Sequence, residues 1–148
     1  MWLEIILCFI ATASFAVIFN VPARLVWIGG CIGIASWYSY SFLPILGVIP
    51  VFAAASAAFI AAFLSHLLAR FLHVPVTTFA IPGVIPLVPG GRAYSTMLAF
   101  VEEDYLNGLE RGIETILQAG AIAAGMVFAL SIFSIRRGVA QRYETNRS

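Results

Sequence analysis

Residues Thr77 to Met97 read TTFAIPGVIPLVPGGRAYSTM, an apolar run that contains three prolines. These are Pro82, Pro86 and Pro89. Each proline removes a backbone donor and obstructs the preceding helical turn, so a helix that crosses a membrane here is expected to break. Interrupted backbone is stable at membrane depth only where it is buried in protein or lines a cavity. This run therefore predicts a broken span beside a cavity.

A glycine pair follows the last proline and opens a predicted short helix. Gly90 and Gly91 begin this helix, whose first N–H groups have no acceptor within the helix. Arg92 follows the pair, and Tyr94 and Ser95 add hydroxyl groups. Bare amides at a helix N-terminus with a cation beside them bind anions. This pattern indicates a site for a small solute that carries a carboxylate.

Composition places the chain in a membrane. Its 148 residues are 61% hydrophobic and 10% charged, and the mean hydropathy is +0.99. This is too much apolar surface for a soluble domain of this size, so we predict an all-α polytopic membrane protein. The net charge is +1 and all eight basic residues are arginine, which leaves no basic field for nucleic acid.

Uncharged runs predict about five transmembrane helices in a single domain, 1–148. A helix needs about 20 apolar residues to cross a membrane, and the breaks between runs fall at charged, proline or glycine residues. The predicted spans are approximately 3–20, 24–41, 47–69, 75–101 and 113–135. The fourth is the broken one, and residues 136–148 form a predicted cytoplasmic tail.

The distribution of charge predicts an orientation with the N-terminus outside and the C-terminus inside. Arginines concentrate on the cytoplasmic side of membrane proteins. With five spans, the inside receives Arg24, Arg70, Arg136, Arg137, Arg142 and Arg147. The outside receives Glu4, Glu102, Glu103, Asp104, Glu110 and Glu114, together with Arg111. Because Glu4 stands where a signal peptide has basic residues, we expect the first span to be retained.

Helix arithmetic gives a predicted depth for Arg92. It lies ten residues before Glu102, which at 1.5 Å per residue is about 15 Å below the outer surface, near the midplane. An ionisable residue at that depth indicates a functional site. The alternative is that the segment slides and Arg92 reaches the cytoplasmic interface.

Metal, redox and catalytic constellations are not predicted. Cys8 and Cys31 fall inside apolar runs and are interpreted as small hydrophobes without a disulfide. His66 and His73 lie seven residues apart, but as a metal pair they lack a third ligand. We interpret them as interfacial histidines, with a proton relay as the alternative. No nucleophile with a neighbouring base is visible, so no enzyme is predicted.

Small residues recur at four-residue spacing in three of the predicted spans. This spacing allows membrane helices to approach closely, so it is interpreted as packing rather than a pore. The pairs are Gly29 with Gly33, Ala54 with Ala58, and Ala121 with Gly125.

Two motifs carry a resemblance to a known family. Phe19-Asn20-Val21-Pro22 ends the first span, and Ile85-Pro86-Leu87-Val88-Pro89-Gly90 is followed by Tyr94 and Met97 in the pattern P-G-x-x-x-Y-x-x-M. In order and spacing along nearly the whole chain, the sequence resembles the small, YjjB-like subunit of the two-component threonine/serine exporter family.

The resemblance implies a subunit of an inner-membrane exporter without a cofactor. Such exporters are associated with threonine and serine, and in one branch with succinate, and a larger membrane subunit or fused half is the implied partner. A homo-oligomer is a second possible assembly. The alternative function is a non-transporting scaffold that stabilises the larger partner. Candidate solute-binding residues are Asn20, Pro86, Pro89, Gly90, Gly91, Arg92, Tyr94 and Ser95, with Pro22, Arg24, Pro82 and Gly83 as structural residues.

Overall fold

The computed structural model describes the backbone of residues 2–145 and the side chains of residues 2–133. All regular structure in this part of the chain is helical, which confirms the all-α prediction. The helices are α1 (Trp2–Ile18), α2 (Ala23–Phe42), α3 (Pro50–Leu72), α4 (Thr77–Val84), α5 (Gly90–Val101) and α6 (Tyr105–Thr145). Short 3₁₀ turns cover Leu43–Leu46 and Ile85–Leu87.

Turn residues explain where α3 begins and ends. Pro50 occupies its first position, where the missing N–H costs nothing. His73 ends it in the left-handed conformation with φ 56°, and its N–H donates to the carbonyl of Ala69. The connection before α3 turns at Gly47 with φ 85°, a conformation that glycine adopts without strain.

Helices α3 and α6 form the most extensive pair in the bundle. A Cβ built on Gly125 would lie 2.2 Å from the carbonyl oxygen of Ala55, so the two backbones touch. The inner face of α3 is a row of alanines that are almost completely buried: Ala53, Ala54, Ala57, Ala58, Ala61 and Ala62. Small side chains thus allow dispersion contacts that larger ones would prevent.

Helices α1 and α2 also pack through glycine, although not through the pair that the spacing predicted. A Cβ on Gly33 would lie 2.2 Å from the Thr12 hydroxyl, and one on Gly30 would lie 2.3 Å from the Phe9 ring. Nothing lies within 4 Å of a Cβ built on Gly29. The close contact is therefore made by Gly30 and Gly33.

Two helices in the described residues are long and apolar enough to cross a membrane. They are α3 and the Tyr105–Phe133 part of α6. The segments Thr77–Leu87 and Gly90–Val101, bent by 44°, would together make a third. Helix α1 is apolar but has only 17 residues. The chain is therefore a membrane protein by these criteria, while the count of five spans stays a prediction.

The last helix starts earlier than the predicted span, at Tyr105 rather than at 113. Asp104 accepts hydrogen bonds from the backbone and side-chain nitrogens of Asn107, which caps the helix and lowers the pKa of the Asp104 carboxyl. Helix α5 then folds back along this start, with the Phe100 ring 3.2 Å from a Cβ built on Gly108. The two form a hairpin, so the acidic cluster lies at its turn. The predicted tail 136–148 falls outside the described side chains.

Candidate site at the helix break

The break predicted for the fourth span lies between α4 and α5. The 3₁₀ turn Ile85–Leu87 follows α4, and Pro89 stands immediately before α5 with φ −76° and ψ 50°. The Gly90 N–H donates to the Val88 carbonyl at 2.7 Å, and the first helical bond runs from Ala93 to Pro89. The Gly91 N–H belongs to the first turn, where a helix offers no acceptor.

The α4 side of the break is buried in protein, as interrupted backbone in a membrane requires. Phe79 is 0% exposed and Leu87 is 2% exposed. The Ser36 hydroxyl on α2 lies 2.9 Å from the Gly83 carbonyl of α4. It also lies 2.8 Å from the carbonyl of Gly33, which is on the same helix as Ser36. Pro82 is buried inside α4. The proline-containing segment is therefore held from the α2 side.

The α5 side of the break is open. Gly90 and Gly91 are both exposed, and nothing lies within 4 Å of a Cβ built on either. The Gly91 N–H is therefore accessible to a ligand, whereas the Gly90 N–H is taken by the Val88 carbonyl. Tyr94, one turn further on, is 68% exposed.

Arg92 pairs with a carboxylate on the neighbouring helix. Its Nη1 lies 3.2 Å from Glu114 Oε2, and the two side chains are 39% and 56% exposed. One turn beyond Glu114, the Gln118 amide donates to the Tyr40 hydroxyl near the end of α2 at 3.1 Å. The Arg92–Glu114 pair thus lies near the end of the bundle where α2 joins α3. The depth predicted for Arg92, near the midplane of the membrane, stays a prediction.

Four polar side chains line a cleft of about 350 Å³ between α5 and α6: Arg92, Ser95, Arg111 and Glu114. The Ser95 hydroxyl donates to the Gly91 carbonyl at 2.9 Å, which leaves its oxygen free to accept a hydrogen bond. The cleft therefore offers two guanidinium groups and one carboxylate to a small polar ligand.

From the sequence, Arg111 and Glu114 are predicted to lie outside the membrane, and neither is a candidate solute-binding residue. The signal that could have found them is their spacing. Residues three apart on a helix share a face, and apolar residues at Leu109 and Ile113 point to a helix in this segment. A pairing partner on α5 cannot be read from that spacing.

The predicted site residues do not all come together. Asn20 lies in the turn between α1 and α2, in the left-handed conformation with φ 54°, and borders a groove with Phe9 and Trp27. The 20 residues of α2 span about 30 Å and separate this turn from the Tyr40 end of the bundle. Pro22 and Arg24 are exposed beside Asn20, and Pro86 is half-buried in the 3₁₀ turn.

The histidine and cysteine side chains lie outside the cleft between α5 and α6. The His66 ring stacks on Phe133 with centroids 4.5 Å apart, and His73 ends α3. Cys8 is buried and Cys31 is exposed, and both thiols are free. Within residues 2–133, no group of three or more potential metal ligands is placed to hold an ion.

Comparison with known families gives a match along most of the chain. The family described as "Threonine/Serine exporter, ThrE" matches residues 4–132. No solved structure is significantly similar.

Two curated relatives extend this comparison. A "Threonine/serine exporter" from Corynebacterium glutamicum is 37% identical over 92 residues, which are 62% of this chain and 18% of that protein. An "Uncharacterized protein" from Haemophilus influenzae is 27% identical over 128 residues, 83% of this chain and 43% of that protein. The chain thus spans less than half the length of either relative. Because the family match covers residues 4–132, this chain belongs to the threonine/serine exporter family.

Proposed function

We propose that this protein is a subunit of an exporter of small hydrophilic carboxylates, with amino acids of the threonine and serine type before dicarboxylates such as succinate. The family match and the name of the C. glutamicum relative support this proposal. The observation that carries it is the open start of α5, where the exposed Gly91 has no helical acceptor for its N–H and is followed by Arg92, which lines a polar cleft. Partial positive charge at a helix N-terminus favours a carboxylate there.

The proposed topology is five spans in the inner membrane, with the N-terminus outside and the C-terminus inside. Helices α1 and α2, with 17 and 20 residues, are about 26 and 30 Å long, close to the hydrocarbon thickness. The bent segments before and after Pro89 would make the fourth crossing. This arrangement keeps Arg24 and Arg70 inside and the acidic hairpin turn outside, as the positive-inside rule favours.

A larger membrane subunit is the proposed partner, with a second copy of this chain as the alternative. The Tyr105–Phe133 part of α6 has 29 residues and is about 43 Å long, which exceeds a hydrocarbon core of about 30 Å. Leu106 and Leu109 at its start are 84% and 58% exposed. Apolar side chains beyond the lipid would be covered by protein. An apolar groove of about 950 Å³ between α3 and α6 adds to this surface.

Restoring a continuous helix tests the proposed site. The double substitution Pro89→Ala/Gly90→Ala removes the proline and the glycine at which α5 begins, and so favours a continuous helix there. We expect export of threonine from peptide-loaded cells to be abolished, with an unchanged amount of protein in the membrane. Pro44→Ala, in the 3₁₀ turn before α3, is the matched control and should export normally. Normal export by the double variant would refute the site.

This chain covers only 18% of the exporter relative, and this small fraction favours a second candidate function. In that case the chain stabilises a larger partner that holds the whole solute path. The partner reconstituted alone in liposomes would then transport threonine or succinate at the full rate. A rate that depends on adding this chain favours the exporter subunit.

A further inference from the structure

The cleft between α5 and α6 carries charges of both signs within a short distance. Arg92 and Glu114 are 3.2 Å apart, and Arg111 lines the same cleft three residues before Glu114. The cleft is therefore not a simple anion site, because the Glu114 carboxylate is part of its lining. A ligand that enters has to satisfy that carboxylate as well as the arginines.

A zwitterion meets this requirement better than an anion does. Its carboxylate can replace Glu114 as the partner of Arg92, and its ammonium group can pair with the Glu114 carboxylate that has been released. Glu114 then keeps a cationic partner, and Arg92 and Arg111 share the carboxylate of the ligand. A dicarboxylate would place its second negative charge near Glu114, where like charges repel.

We propose that Glu114 is the specificity-determining residue of the cleft, binding the ammonium group of an α-amino acid while Arg92 and Arg111 bind its carboxylate. This inference rests on the proposed function. The Ser95 hydroxyl donates to the Gly91 carbonyl, and its oxygen accepts a hydrogen bond from a hydroxyl or ammonium group of the same ligand. The Arg92–Glu114 ion pair holds both charges at the cleft, and the ligand separates them when it binds.

Because the Arg92–Glu114 pair is half-exposed, Glu114 is also a suitable residue for mutation. An exposed ion pair contributes little to stability, because water screens it and ordering the side chains costs entropy. Glu114→Gln keeps the size of the side chain and removes only its charge. Changes in solute preference would therefore report on binding rather than on folding. Glu110→Gln is the matched control, since Glu110 is an exposed carboxylate one turn away that does not line the cleft.

The test compares two probes that differ by a single group. L-threonine and 3-hydroxybutyrate share a carbon skeleton, carboxylate and hydroxyl, and only threonine carries the ammonium group. Uptake into everted vesicles that contain the full chain with its exporter partner gives a KM for each. For the unmodified chain and for Glu110→Gln, we expect a KM for threonine at least tenfold below that for 3-hydroxybutyrate.

Glu114→Gln is expected to raise the KM for threonine about tenfold or more and to leave that for 3-hydroxybutyrate unchanged or lower. Glu114→Asp, which keeps the carboxylate, should retain a preference for threonine. If Glu114→Gln does not reach the membrane, Arg92→Gln/Glu114→Gln removes both charges together and should also lose the preference.

The outcomes separate the inference from the proposed function. Flux of both probes with an unchanged threonine preference in the Gln variants would overturn the role of Glu114 and leave the exporter intact. An equal change in both KM values would also overturn it, since a merely structural ion pair would have that effect. No flux of either probe through the unmodified chain would overturn the proposed export of threonine-type amino acids and this inference with it.

Discussion

At Gly125, the lack of a side chain allows helices α3 and α6 to meet backbone to backbone. A Cβ atom built on Gly125 would lie 2.2 Å from the backbone oxygen of Ala55 and 3.1 Å from the backbone nitrogen of Phe59. Both neighbours are backbone atoms of α3, which cannot move aside as a flexible side chain can. The same helix carries Gly120, where a Cβ would meet nothing within 4 Å. The two glycines thus have different structural roles.

Gly125→Ala is expected to push α3 and α6 apart and to destabilise the protein by about 1–3 kcal/mol, as overpacking does. Thermal unfolding of the purified protein in detergent would show this as a lower midpoint. Gly120→Ala should leave the midpoint unchanged or raise it slightly, because alanine is the better helix former. Equal midpoints for the two variants would contradict the close contact.

At the scale of a single helix, α4 is short, contains Pro82 and depends on its neighbours. Its eight residues are too few to be stable alone. Its burial against α2 and α3 and the Ser36 contact with the Gly83 carbonyl hold it in place. The broken span is therefore stable because of the helices around it, and the open start of α5 depends on the position of α4.

Ser36→Ala should loosen α4 by about 1 kcal/mol, since the buried Gly83 carbonyl loses the hydrogen bond from the Ser36 hydroxyl. Hydrogen exchange in detergent should then become faster for the amides of α4 than for those of α3. Ser39→Ala is the control, because that hydroxyl bonds only to the Ala35 carbonyl of its own helix. If exchange in α4 is the same in both variants, the Ser36 contact is not what holds it.

At the scale of the whole molecule, charge is divided between the two ends of the bundle. The acidic cluster lies at the α5–α6 turn, and Arg24 and Arg70 lie near the start of α2 and the end of α3. The proposed five spans place these two groups on opposite sides of the membrane. Orientation and span number can therefore be tested together.

Thiol labelling in intact cells provides this test, in a chain whose two native cysteines are replaced by serine. An impermeant maleimide should label Glu103→Cys in intact cells. It should label Arg70→Cys only after the membrane is opened, since the proposed orientation places that residue on the cytoplasmic side. Labelling of Arg70→Cys from outside, or of neither position until the membrane is opened, would contradict the proposed orientation.

Local chemistry along the chain was enough to predict the helical membrane fold and the break beside Pro89. Proline removes a donor and restricts its immediate neighbours, so its effect acts within a few residues and can be read without a partner. The same holds for the glycines that begin α5. The family resemblance rested on these local motifs and is confirmed by the match over residues 4–132.

The early start of α6, the pairing of Arg92 with Glu114 and the separation of Asn20 from the cleft emerged only once the helices were packed. Each depends on which helix faces which, and at what register. Charges 22 positions apart along the chain lie 3.2 Å apart in space because α5 turns back on α6. Such contacts come from the sum of many weak packing interactions over the whole bundle, and no single segment encodes them.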